Sequence, residues 1–452
     1  MKTLFGTDGM RGIAGQYPLD AATVYELGRA LVGRLRREGL RPEILVGRDT
    51  RESGAWIEAA FLRGIEDAAG VGHSAGIIPT SGVAYLTKVN DFSAGAVISA
   101  SHNPYRDNGI KIFSHQGFKI PDDWEEELEA SLRERGGSAA AAAARPGAGR
   151  PAEKSLIDQY ERFLSERPAG LKRAAPFTIV LDCANGAASL IAPEVFRAAG
   201  CRVTAIHAEP DGRNINAGCG ALHPESLAAA VVREKADLGV AYDGDADRAM
   251  WADADGRLLN GDHTLFGLAR FMAGRGRLKG GAVVATTMSN LGLEKALGGL
   301  GLPLVRTRVG DKYVLEKMLD LGANLGGERS GHTILLDDCP TGDGILTSLR
   351  VLEAMAATGG SLADFVAGLA EFPQVLLNVR VASKPDLNGI PEVAAALDDV
   401  GRTIAGRGRL DVRYSGTEPL ARVMLEGEDQ AEVEALAGRI AAAIDRAIGV
   451  RS

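Results

Sequence analysis

Five short apolar runs constrain this chain more than any other feature: EILVG (43–47), AGAVIS (94–99), FTIVLD (177–182), DLGVAY (237–242) and AVVATT (282–287). Each has the length and character of a buried strand, and they recur between amphipathic, helix-patterned stretches. That alternation predicts α/β layers with mixed, largely parallel sheets. The stretch AATVYELGRALVGRLRREG (21–39) shows how the sheets are covered, with apolar residues at spacings of three and four and a glycine stop.

A chain of 452 residues exceeds what one core sustains, and the length prior gives roughly three or more domains. The small-residue stretch GGSAAAAAARPGAGRPA (136–152) has no apolar face and reads as a linker or exposed joint. Strand–helix alternation restarts near Phe177 and near Ala282, then gives way at FPQVLLNVRVASKP to a tail with a strand, a loop and the helix EDQAEVEALAGRIAAAIDRAI. We expect three similar α/β domains, 1–150, 151–253 and 254–370, and a smaller α+β domain, 371–452, around a central cleft.

The balance of 51 basic to 59 acidic residues, net −8, opposes general attraction to nucleic acid or to an anionic membrane. The start MKTLFGTDGMRG lacks the apolar run of a signal peptide, and no stretch is apolar enough to span a bilayer, so a cytoplasmic location is expected. Four dispersed cysteines form neither a disulfide framework nor a C-x-x-C pair.

Polar turns follow several of the runs. In AYDGDADRAMWAD (241–253), Asp243, Asp245 and Asp247 alternate after a strand, which puts three carboxylates on one side of an extended loop. Like charges so placed call for a cation. An EF-hand loop does not fit, since position six is Arg248 and position twelve is Ala254. An all-oxygen set this small suits Mg²⁺, which keeps places for water and a phosphate oxygen. In RYSGTEPLARVMLEG (413–427), Arg413, Ser415, Gly416, Thr417 and Arg422 surround a turn with the donors a phosphate dianion needs. In GGERSGH (326–332), Glu328, Ser330 and His332 alternate and present groups that hydrogen-bond sugar hydroxyls. Taken singly, each also reads as an ordinary solvated turn.

The run ISASHNPYRDNGIKIF (98–113) carries Ser101 beside His102, with Lys111 ten residues on. A serine that carries phosphate needs a proton acceptor and a nearby positive charge, and His102 and Lys111 supply both. No G-x-S-x-G elbow surrounds Ser101, which disfavours a hydrolase triad.

In this order, SASHNP (99–104), DGDADR (243–248), GERSGH (327–332) and RYSGTEP (413–419) resemble the four loops of the α-D-phosphohexomutase superfamily, and the likeness spans essentially the whole chain. GTDGMRG (6–12), TTMSNLGLEKAL (286–297), RTRVGDKYVLEKM (306–318) and TGDG (341–344) look most like the bacterial subgroup that acts on glucosamine phosphates. Two positions depart from that subgroup: Arg329 stands where glutamine is usual, adding a charge near where the sugar amino group would be inspected, and Ala246 stands where glycine is usual. At Asp311, relatives acting on mannose and glucose phosphates often carry histidine.

The resemblance implies a phosphate-carrying Ser101, with Mg²⁺ held by Asp243, Asp245, Asp247 and one phosphoserine oxygen. It also implies a glucosamine 1,6-bisphosphate intermediate that turns end for end. Lys111 is the first candidate for proton transfer, His102 positions the phosphoserine, and His332 is a further candidate. Arg11 and Arg248 neutralise phosphate near Ser101. Arg413, Ser415, Gly416, Thr417 and Arg422 hold the non-reacting phosphate, while Glu328 and Ser330 read sugar hydroxyls. The partner is a small phosphosugar, and the chain is a monomer or homodimer. A glucose- or mannose-phosphate mutase, a phosphatase and a non-catalytic phosphosugar sensor are the competing readings.

Overall fold

The structure is a computed structural model that describes residues 4–6, 8–135, 150–167, 171, 176–415 and 419–450. The chain forms two compact units, one of residues 1–286 with 307–367 and one of residues 287–306 with 368–452.

The first sheet runs in the order Phe5–Gly6, Gly9–Ile13, Asp107–Ser114, Ala94–Ile98, Glu43–Arg48, Val71–Ile77. Glu43–Arg48 pairs parallel with strands on both sides, as a fully buried apolar strand should in an α/β layer. The helix Ala21–Arg37 that covers it begins where Asp20 accepts the Ala22 and Thr23 N–H groups at 3.1 and 3.0 Å. It buries Val24, Leu27, Leu31 and Leu35 and stops just before Gly39, whose φ is +73°. The second sheet runs Leu258–Leu259, Ala249–Asp253, Leu238–Tyr242, Thr178–Asp182, Arg202–Ile206. In the third, Val283–Thr286 pairs parallel with Leu325–Gly327, which pairs antiparallel with Thr333–Leu335.

Much of the antiparallel pairing in these sheets has a common cause. Each motif loop is a tight turn between adjacent antiparallel strands: Ser101 lies between Ala94–Ile98 and Asp107–Ser114, the aspartates between Leu238–Tyr242 and Ala249–Asp253, and GERSGH around the turn from Leu325–Gly327 to Thr333–Leu335. A short turn can only join antiparallel neighbours, whereas the parallel pairs need helical crossovers. The three α/β layers thus share a parallel centre, an antiparallel flank, and a polar loop where centre meets flank.

The second unit has an antiparallel sheet in the order Gln374–Arg380, Leu420–Glu426, Arg409–Tyr414, with the helices Pro391–Ile404 and Gln430–Ile448. Val393, Val400, Val423, Leu425, Ile440 and Ile444 form the centre of its core. RYSGTEP again joins two antiparallel strands. Residues 287–306 belong to this unit because Arg409 donates to the carbonyls of Thr287 and Ser289 at 2.7 and 3.0 Å. Asn290 also exchanges hydrogen bonds with the Phe372 backbone, both at 2.9 Å.

Most of the glycine- and alanine-rich joint, residues 136–149, lies outside the described residues. Among the described residues, no helix is long and apolar enough to cross a membrane. The four cysteines are free and buried.

Candidate active site

Ser101 sits in a left-handed backbone conformation, φ +50°, and is 1% exposed. A non-glycine residue held there needs its surroundings to fix it, and Arg51 does so. Its buried guanidinium donates to the carbonyls of Ser101 and Asn103, both at 2.9 Å, of Asp107 at 3.0 Å, and of Pro104. The remaining Nε–H donates to Asp49 at 2.8 Å. Asp49 also accepts from Ser99 Oγ at 2.6 Å, and Ser99 Oγ accepts the Ser101 N–H at 2.9 Å. Asn216 adds a 2.8 Å hydrogen bond to the Ser101 carbonyl.

Asp243, Asp245 and Asp247 converge as expected, each with a carboxylate oxygen within 4.8 Å of the others, and all three are buried. Ser101 Oγ donates to Asp243 at 2.6 Å, joining the first motif to the second. Gly244 permits the approach, since a Cβ there would stand 2.6 Å from the Ser101 carbonyl oxygen. Burial, then the charges of Asp247 and Asp245, push the Asp243 carboxyl well above the usual carboxylate range. One oxygen each of Asp245 and Asp247 is buried with no hydrogen-bond partner. Crowded carboxylates with orphaned oxygens beside a serine hydroxyl fit a divalent cation of the hard, oxygen-loving kind. Ala246, at φ +58°, occupies the left-handed position of this loop, which explains why a glycine suits it.

Lys111 reaches the same cluster. Its Nζ is 2.9 Å from Asp245, 3.3 Å from Asp8 and 3.8 Å from Asp247. Burial opposes its charge, but Asp245, Asp8 and Asp247 outweigh burial and hold the amine protonated well beyond neutral pH. His102, with Nδ1 3.4 Å from Ser101 Oγ, goes the other way. Burial, then Arg248 and Arg11, lower it to about 4, so its imidazole is neutral at pH 7. Of these two groups, His102 is in the form that accepts a proton and Lys111 in the form that donates one.

The alternating charges continue outward. Lys119 bridges Asp8 at 2.6 Å and Asp311 at 2.7 Å, and Arg11 pairs with Asp8 while donating to the Ala100 carbonyl at 3.3 Å. His332 lies between Asp311, 3.7 Å from Nε2, and Asp247, 3.5 Å from Nδ1. Burial disfavours the charged ring, yet Asp247 and Asp311 raise it to about 9. Arg248 Nε stands 3.8 Å from both Asp243 and Asp247. The serine, the aspartates, both histidines, Lys111, Arg11 and Arg248 are therefore one connected site.

In the glycine-rich loop, Ser330 Oγ lies 3.4 Å from Glu328, and Glu328 accepts the Gly310 N–H at 3.2 Å. Arg329 points elsewhere: its guanidinium meets Asp262 at 3.3 Å.

In the second unit, Arg413 and Arg422 are directly opposed on neighbouring strands and share a face. Arg413 Nε meets Asp411 at 3.2 Å, and the two guanidinium groups on one face are of the kind that a phosphate clamp uses. Ser415 is buried, and its carbonyl accepts from Lys384 at 2.6 Å. Gly416 and Thr417 lie outside the described residues.

Arg51, Asp8, Thr80, Asn216, Lys119 and Lys384 were not among the expected site residues. GRDTRES (47–53) and PDGRNIN (210–216) do carry a visible signal, a polar turn rich in Asp, Arg and Asn of the kind that marked the other loops. Thr80 gives none: it opens a helix and donates to Asp245 at 2.7 Å. A second grouping, Asp182, His207 and Cys219, lies in the second layer. There Asp182 accepts the Ala184 and Gly220 N–H groups at 2.9 and 3.0 Å, and burial, then Asp182, push the Cys219 thiol up to about 12.

Comparison with known proteins covers nearly the whole chain. Four phosphoglucomutase/phosphomannomutase family models match in order: alpha/beta/alpha domain I over residues 2–137, domain II over 158–256, domain III over 260–372, and the C-terminal domain over 376–443. A phosphoglucosamine mutase of Koribacter versatilis is 50% identical over 459 residues, covering 100% of this chain and 98% of the relative. One from Solibacter usitatus is 48% identical over 457 residues, 99% of each. Among solved structures, a phosphoglucomutase/phosphomannomutase family protein of Burkholderia thailandensis covers 100% of both chains at 23% identity, with a TM-score of 0.79. An Aspergillus fumigatus N-acetylphosphoglucosamine mutase, solved with GlcNAc-6P and magnesium, covers 100% of this chain and 96% of its own at 19% identity, with a TM-score of 0.67. At these identities the structural likenesses show the fold.

Proposed function

This chain belongs to the phosphoglucomutase/phosphomannomutase family, and from that membership we propose that it interconverts glucosamine 6-phosphate and glucosamine 1-phosphate through a phosphoserine at Ser101. The observation that carries the reading is the 2.6 Å hydrogen bond from Ser101 Oγ to Asp243, which sets the serine oxygen against the three-aspartate cluster. The choice of sugar rests on the relatives of 48–50% identity named phosphoglucosamine mutase.

Asp243, Asp245 and Asp247, with one oxygen of the Ser101 phosphate, would hold Mg²⁺. When bound, the ion neutralises charge on the phosphoryl group in transfer. Arg51 and Asn216 fix the carbonyl of the carrier residue and so aim its oxygen. In the first half-reaction the free sugar hydroxyl bonds to phosphorus, loses its proton, and releases Ser101 Oγ. His102, neutral, is suited to take a proton; Lys111, charged, is suited to give one and to balance the dianion. Arg11 and Arg248 add positive charge beside Ser101. The product, glucosamine 1,6-bisphosphate, turns over within the site, and its original phosphate returns to Ser101. Glu328, Ser330 and His332 serve the sugar, while Arg413, Ser415, Gly416, Thr417 and Arg422 hold the phosphate that is not reacting.

The division at 150, 253 and 370, a cytoplasmic location, and a monomeric or homodimeric state belong to the same proposal. Product analysis with glucosamine, glucose and mannose 6-phosphates, Mg²⁺ and a trace of bisphosphate tests it. The reading requires glucosamine 1-phosphate to form with the highest kcat/KM. A preference for glucose or mannose phosphate assigns the chain to another branch, and binding without isomer exchange refutes catalysis.

A further inference from the structure

The arginine at position 329 puts a positive charge in a loop that, on the proposed function, meets a substrate that is itself an ammonium ion. How the loop carries that charge is visible in its alternation. Glu328 and Ser330 lie together on one side, 3.4 Å apart, and Arg329 between them extends the opposite way. There it meets Asp262, whose side chain is wholly buried at the start of the helix Gly261–Ala273. The backbone reinforces the pairing. The Gly261 N–H donates to the Arg329 carbonyl at 3.0 Å, and a Cβ at Gly261 would strike the Glu328 carbonyl oxygen. The first turn of the helix is thus seated directly against the loop, with the carboxylate beneath the guanidinium. A carboxylate in the first turn is also where the helix dipole favours it.

We propose that Asp262 is a specificity-determining residue that, by holding Arg329 on the helix side of the loop and neutralising it, leaves Glu328 as the charge an amino sugar phosphate meets. Asp262 touches no substrate in this account; it acts through Arg329. The inference rests on the glucosamine-phosphate reading of the site. Its consequence is electrostatic and has a sign. Removing the carboxylate leaves Arg329 to cancel Glu328, so the loop loses its net negative charge, which weakens its attraction for an ammonium at sugar carbon 2 and is indifferent to a hydroxyl there. Removing the guanidinium leaves both carboxylates unopposed and does the reverse. One unit charge near the surface of a site is worth about five-fold in relative rate.

The test is the ratio of kcat/KM for glucosamine 6-phosphate to that for glucose 6-phosphate, two substrates that differ only at carbon 2. It is measured for the wild type, Asp262→Asn, Arg329→Gln and the double variant. The ratio should fall about five-fold in Asp262→Asn, rise by a similar factor in Arg329→Gln, and return near the wild-type value when the two are combined. A purely structural role for Asp262 would lower both substrates together and leave the ratio where it was, which overturns the proposal. Should Asp262→Asn not fold, Arg329→Gln alone decides, because an unchanged ratio there is equally fatal. A wild type that turns over glucose but not glucosamine phosphate overturns the substrate reading and this inference with it. An active wild type with unmoved ratios overturns only the inference.

Discussion

Replacing Arg51 with lysine keeps the charge opposite Asp49 and removes the fork. In the native site the five guanidinium N–H groups meet five acceptors: Asp49 and the carbonyls of Ser101, Asn103, Pro104 and Asp107. A lysine ammonium has three donors. At least two of these charge-assisted hydrogen bonds are therefore lost, at about 1–3 kcal/mol each. The expected loss is about 4 kcal/mol of stability, a fall in melting temperature of roughly 5 °C for a unit of this size. Catalysis should suffer separately, because the loop that holds Ser101 at φ +50° loses part of its clamp, with Asn216 left as the other donor to the Ser101 carbonyl. We expect kcat to drop at least ten-fold at temperatures where the variant is folded, with KM for the sugar phosphate little changed. Thermal melts and steady-state kinetics on the purified chain measure both. A variant that melts within about 2 °C of the wild type and keeps its kcat would refute the claim that Arg51 fixes the serine loop.

Other outcomes follow from the same geometry. Ala246→Gly relieves an alanine at φ +58° and should stabilise the chain by up to about 1 kcal/mol, seen as a melting temperature raised by a few degrees. Asp245→Asn should abolish both metal-dependent turnover and calorimetrically detected Mg²⁺ binding; unchanged binding would remove Asp245 from the ligand set. Lys111→Met leaves Asp8, Asp245 and Asp247 without their shared cation. Turnover should fall by about 10²–10⁴-fold, and a near-normal rate would exclude Lys111 from proton transfer.

Much of this site was legible in the sequence because its loops obey one rule. An apolar run ending in a polar turn marks the point where a parallel central strand hands over to an antiparallel flank, and Ser101, the three aspartates and Glu328 all stand at such points. GRDTRES, which holds Arg51, is also a polar turn after an apolar run, though it leads into the helix Gly54–Asp67 and not into an antiparallel flank. Thr80 and Asp262 were beyond reach, since each opens a helix and acts through a contact that only the packed layers create. Arg329 shows a further limit: sequence places its charge in the sugar loop but cannot say which side of the loop it leaves by. Mixed sheets were expected, but not which strands pair antiparallel, because apolar runs report burial, and pairing direction is set by the length of the connection.

The central claim is that Ser101 carries the phosphate, and phosphopeptide mass spectrometry of the enzyme after incubation with glucosamine 1,6-bisphosphate and Mg²⁺ tests it most directly. The account predicts a single phosphate on the peptide containing Ser101, discharged on adding glucosamine 6-phosphate and absent from an inactive Ser101→Ala variant. An active Ser101→Ala enzyme, or phosphate on any other residue, would contradict it.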